Sequence, residues 1–136
     1  MSNDRQMEGN ALANLGNIHR QFGNARLAIV YHEQALGVMR EIGDRHGEGA
    51  ALGNLGLAHA ELGDAPQAIV YHKQSLTIAR EIGDRRGAGT ALWNSALAHN
   101  TLGNRAEAIT RATSALAIYE AIEHPACARV RAQLAE

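Results

Sequence analysis

The chain has 136 residues, a formal net charge of −1, and 46% hydrophobic but only 4% aromatic residues. Its 13 basic and 14 acidic residues are interspersed, so the electrostatic basis for binding nucleic acid or anionic lipid is absent. One cysteine, Cys127, excludes an internal disulfide and a cysteine-based zinc site. No run approaches the roughly 18 apolar residues of a membrane span. The opening MSNDRQMEGN lacks the apolar core of a secretory signal, so a soluble cytoplasmic protein is expected.

The same words return along the chain. ANLGNIHRQFGN (13–24), GNLGLAHAELGD (53–64) and WNSALAHNTLGN (93–104) stand 40 residues apart. Residues 5–44 and 45–84 share roughly 23 identities in 40, which marks them as copies of one unit. Residues 85–124 drift but keep Gly87, Gly89, Leu92, Asn94, His99, Gly103, Ala108, Ile109, Leu116 and Ile122. The tail, 125–136, has the pattern of one more first helix.

Each copy divides into two helices. In the second, Leu52, Leu55, Gly56, His59 and Leu62 recur at steps of three and four, giving one small and apolar stripe. Ala68, Ile69, His72, Leu76 and Ala79 form the stripe of the following helix. Between them Gly63 supplies a left-handed stop and Asp64 a cap, with Pro66 in the first turn. Asn24 and Asn104 stand in the same place as Asp64, and Asn104 with Glu107 has capping-box spacing. Gly43-Asp44 and Gly83-Asp84 form the second break, which becomes Glu123-His124-Pro125 in the third copy. Connections this short make antiparallel neighbours, and no stretch alternates with strand period. The glycines Gly47, Gly49, Gly53 and Gly56 weaken an isolated helix, each by about 1 kcal/mol relative to alanine, so neighbouring helices must supply the stability. Gly56, like Gly16 and Ala96, sits where a close helix crossing leaves no room for a side chain.

Leu15-Gly16, Gly23, Ala28, Ala35 and Leu36, then Leu55-Gly56, Gly63, Ala68, Ser75 and Leu76, resemble a tetratricopeptide repeat. Ala96, Gly103, Ala108, Ala115 and Leu116 continue the match, with Ser95 in place of leucine. The 40-residue period and the words YHEQAL (31–36) and LGN (15–17) are similar to the long-repeat subgroup of Pins/LGN adaptors, kinesin light chains and bacterial tandem arrays. The resemblance implies an all-α solenoid: a right-handed superhelix of three helix pairs (5–44, 45–84, 85–124) and a closing helix, 125–136. It also implies a concave groove, lined by first helices, that takes a protein or extended peptide.

On that reading the groove carries Asn10, Asn14, Asn17 and Arg20 from the first copy. Asn54, Leu57 and Glu61 follow from the second, and Trp93, Asn94 and Leu97 from the third. The row Asn14–Asn54–Asn94 stands out, because an amide offers donor and acceptor together and suits an extended backbone of any sequence. Chaperone-tail binders of the family carry Lys or Arg where Asn10, Ala50 and Thr90 stand here, so a two-carboxylate clamp is not expected. Trp93 replaces Ala13 and Gly53, either as an interface anchor or as a cover for the last helix.

Seven histidines raise metal binding. His19, His59 and His99 are one repeat apart, on the order of 10 Å, too far for shared coordination. His19 with His32, or His59 with His72, face across a helix pair without a third ligand, so buried, hydrogen-bonded imidazoles are expected, with no metal and no cofactor. The glycines of 47–56 lack the preceding strand of a phosphate loop, and no catalytic set stands out, so an enzyme is not expected. Two other readings remain. The first is a self-associating module through the N-terminal helix, whose Leu12, Leu15, Ile18 and Phe22 have no preceding unit to shield them. At the other end Arg129, Arg131, Gln133 and Glu136 give a more polar cap. The second is a sensor piece of a larger signalling protein.

Overall fold

The computed structural model describes residues 2–122 and 127–135, all seven of whose regular elements are α-helices. These are α1 (Ser2–Gln21), α2 (Ala25–Ile42), α3 (Arg45–Glu61), α4 (Ala65–Ile82), α5 (Arg85–Thr101), α6 (Arg105–Ile122) and α7 (Cys127–Ala135). The Glu123-His124-Pro125 break, the Arg129 side chain and Glu136 lie outside the described residues.

Local chemistry sets the helix ends. Gly43 and Gly83 adopt φ of 74° and 71°, the left-handed region where an added Cβ would be strained. Asp44 and Asp84 then accept from the backbone N–H groups of Gly47 and Gly87, both at 2.9 Å. Asp64 caps α4 through Gln67 N–H, and Asn24 caps α2 through Leu27 N–H. Asn104 departs from its expected role. Its amide lies 3.5 Å from His99 Nδ1, while Glu107 accepts from Arg111 instead of closing a capping box.

Helices pack as antiparallel pairs, α1 with α2, α3 with α4 and α5 with α6, and each second helix also packs on the next first helix. First helices touch one another directly, α1 with α3 and α3 with α5, whereas α2, α4 and α6 do not. The row of first helices is therefore the shorter, inner side of the stack. The result is an α-solenoid.

The core is small-residue, as a low aromatic content requires. Leu52 and Leu55 are fully buried beside Ala51, Leu36 and Ile78, each leucine contributing about 1.5–3 kcal/mol. Farther along, Leu76, Ala88, Leu92 and Ala115 close around Tyr119 and Val130, so α7 is anchored through Val130 with Leu134 packed on the same core. The stripe read from sequence is buried at Leu52, Leu55 and Gly56. It then surfaces through a half-buried His59 to an exposed Leu62.

Glycine and histidine are coupled across the pairs. A Cβ on Gly16 would stand 2.6 Å from His32 Nε2, and one on Gly56 would stand 2.5 Å from His72 Cε1. The imidazole of the second helix fills the space that the glycine of the first leaves. In the third pair both change together: the glycine becomes Ala96 and the histidine Ala112, so the added methyl of the first helix meets no ring on the second.

Candidate functional site

The inner side of the stack holds a cleft of about 670 Å³ between α3 and α5, floored by α4. From α3 come Ala50, Asn54 and Leu57, and from α5 Arg86, Thr90 and Asn94. Gly49, Gly53 and Gly87 also line it; an added Cβ would stand 3.2 Å from Ile78 at the first, 3.6 Å from Ser75 at the second, and against the Asp84 carboxylate at the third. The floor is Ser75, Ile78 and Ile82 with an edge of His72, and Ser75 Oγ donates to Gly49 O at 3.0 Å. Asn54 and Asn94 are half-buried, and neither amide is engaged by another group of the described residues. Two unspent amides therefore face one cavity with aliphatic side chains below them. An amide can donate and accept at once, and aliphatic side chains beneath it can seat an apolar group.

Of the ten residues expected in the groove, this cleft brings together Asn54, Leu57 and Asn94. Asn14 is exposed outside it, so the row of three amides is a pair. Asn10 accepts from Gln6 at 3.4 Å, and Asn17 is half-buried away from the cleft. Arg20 and Glu61 are paired to each other at 2.7 Å, bridging α1 to α3, so the basic residue expected on the wall is already neutralised.

Trp93 and Leu97 line a different depression, of about 390 Å³, with Ile109 of α6 and Gln133 and Leu134 of α7. Trp93 also packs on the core that holds Tyr119 and Val130, the covering role and not a place beside Asn94. Sequence reading overlooked the floor. Ser75 and Ile78 belong to a second helix, whereas every groove residue expected from sequence is on a first helix; the signal available was the glycine-rich wall opposite them.

Among the described residues the histidines do not assemble a centre. His19 stacks on Tyr31 with ring centroids 5.4 Å apart, and His59 stacks on Tyr71 at 5.3 Å. Among the described residues no group of three or more His, Cys, Asp or Glu is disposed to hold a metal ion. His32 and His72 are buried, but the hydrogen bonds expected of them are missing. Neither ring nitrogen of His32 has a partner within the protein, nor does Nδ1 of His72. Burial pushes both imidazoles down to about 4, with the Arg20 charge adding to the effect at His32. They are neutral packing residues at pH 7.

Carboxylates behave in the opposite way. Glu48 is buried, which alone would raise its pKa. Hydrogen bonds from Arg40 and Arg45, both 3.0 Å, outweigh that and hold it below the usual range.

Comparison with known proteins fits the geometry. The tetratricopeptide repeat family matches residues 7–81 and again 47–121, two registers offset by one unit. The chain is a tetratricopeptide-repeat protein. Among solved structures, this tetratricopeptide array is similar to the apo form of RapI, with a TM-score of 0.90 at 15% identity over 96% of this chain. The tetratricopeptide domain of Arabidopsis FLU matches with a TM-score of 0.82 at 21% identity, over 86% of this chain and 98% of that one. Aspartyl phosphate phosphatase F from Bacillus subtilis matches at 0.89 with 16% identity over 93% of this chain. The array spans 37% of the RapI chain and 33% of the phosphatase chain. At these identities the likeness is one of fold. No curated protein matches the sequence. No helix among the described residues is long and apolar enough to cross a membrane.

Proposed function

We infer that the chain is a binding module for an extended protein segment, held in the cleft between α3 and α5. One observation carries this reading: Asn54 and Asn94 line one cavity with their amides unengaged. Each amide grips a peptide unit of the guest, and the Ile78, Ile82 and Leu57 surface takes an aliphatic side chain. The array acts as a single scaffold of three 40-residue units with a closing helix, and its work is binding, not catalysis. Selection of binders from a random peptide library, followed by the Asn54→Ala/Asn94→Ala variant, tests it. Loss of two hydrogen bonds and exposure of their partners predicts roughly tenfold weaker binding or more. Binders whose footprint avoids α3 and α5 would refute it.

A second reading, self-association, has its own support. Leu15 and Ile18 are exposed on α1, whereas Leu55 and Ala58 at the corresponding places of α3 are fully buried under the preceding pair. Phe22, 84% exposed, extends the same face. Large apolar side chains exposed at one end of a stack suit an interaction face. Light scattering across a concentration series tests it. A monomer throughout, unchanged by Ile18→Glu/Phe22→Ser, would remove this reading.

A further inference from the structure

The second and third copies have nearly the same backbone where a second helix meets the next first helix. Gly43 and Gly83 have φ, ψ of 74°, 23° and 71°, 24°. The caps Asp44 and Asp84 have −83°, 92° and −84°, 89°. At the earlier junction this frame positions a carboxylate between two guanidiniums. Arg40 Nε donates to one oxygen of Glu48 and Arg45 donates to the other, while Arg45 also donates to Glu81. Arg5 with Glu8 and Glu41 repeats part of the arrangement at the start of the chain.

At the later junction the bases remain and the acids are gone. Arg80 and Arg85 stand where Arg40 and Arg45 do, but the place of Glu48 is taken by Ala88 and that of Glu81 by Ala121. Both arginines are exposed, and neither has a carboxylate partner among the described residues. Arg86, the next residue, is exposed too and lines the cleft that holds Asn54 and Asn94. Of the flanking acids, Asp84 accepts from the Gly87 N–H and stands 3.9 Å from His46, and Glu81 accepts from Arg45.

We propose that the α4–α5 junction is an anion site, in which Arg80 and Arg85 receive an acidic side chain of a partner protein in the place Glu48 fills internally one repeat earlier. Guanidinium forks suit a carboxylate, and the Glu48 geometry supplies the template. The occupant is a side chain of a longer segment because Arg86 joins the corner to the cleft. A chain leaving the cleft beside Arg86 is one residue of α5 away from Arg85. This last step rests on the reading of the cleft as a peptide groove; the anion site itself does not.

The test is an NMR titration of the intact chain with a hexaglutamate peptide, with hexaglutamine and inorganic phosphate as separate arms. Saturable shifts at the Arg80 and Arg85 side chains and at the Ala88 amide are expected with hexaglutamate and not with hexaglutamine. Arg80→Gln/Arg85→Gln should weaken binding by about tenfold, as expected for loss of charge-assisted bonds. Ala88→Glu fills the site from within and should abolish the shifts. Ala121→Glu, at an exposed position, does part of the same without touching the core. Shifts that persist unchanged in the Ala121→Glu and Arg80→Gln/Arg85→Gln variants overturn the proposal. So does phosphate binding as tightly as hexaglutamate, which would make the site one for free anions. Asn54→Ala/Asn94→Ala should leave the corner shifts intact, so failure of the cleft reading and failure of the anion site are separate results.

Discussion

Replacing Gly16 and His32 by alanine, and Gly56 and His72 likewise, copies into the first two pairs the Ala96/Ala112 solution of the third. The perturbation removes two buried imidazoles and returns only part of their volume as two added methyls. In the folded chain both titrate near 4, against an ordinary value of 6.5. A depressed histidine means the unfolded state takes up the proton first. Its contribution to stability is whole above about pH 6.5, declines as the pH falls, and is fully lost once the folded value is passed. At pH 5 each histidine then removes on the order of 2 kcal/mol, so the pair removes about 4. Urea denaturation at pH 7.5 and pH 5 measures this directly. Wild type should lose about 4 kcal/mol more than the four-site variant between the two conditions. The depressed carboxylates of Asp44 and Glu48 titrate below this window and are present in both proteins, so they cancel. An equal loss in wild type and variant would mean that the imidazoles find solvation in the fold, and the reasoning would fail.

Gly56→Ala alone should destabilise by about 1–3 kcal/mol in thermal or urea melts, because its Cβ meets the His72 ring, and adding His72→Ala should recover much of the loss. Asp44→Ala should cost about 1–2 kcal/mol, more than Asp64→Ala, since Asp44 accepts from both the Gly47 N–H and Gln6 Nε2 whereas Asp64 accepts from the Gln67 N–H and otherwise only stands 4.0 Å from His59 Nδ1. Urea midpoints of the two single variants compare them. Ser95→Ala should raise stability by about 1 kcal/mol, because the buried Ser95 hydroxyl has no partner in the protein and its removal ends a desolvation penalty.

The sequence by itself determined the helices, their ends and their order. These follow from interactions within a few residues, as at Gly43-Asp44 or Gly63-Asp64, and 40-residue copying shows the same signal more than once. It also marked Gly16 and Gly56 as close approaches. Which faces meet was decided only by the tertiary structure. A helical stripe gives the buried side of one helix but not the cavity made by two helices and a third beneath them. Hence Asn54 and Asn94 share a cleft while Asn14 is outside it. Arg20 is tied to Glu61, and Trp93 turns to α7. The vacated carboxylate place beside Arg80 and Arg85 has the same origin. Ala88 and Ala121 are ordinary residues in the sequence, and gain meaning only when three helices bring the earlier Glu48 and Glu81 to two arginines. Local free energies are written along the chain, whereas a site is a property of residues far apart in sequence, fixed only once the helices have packed.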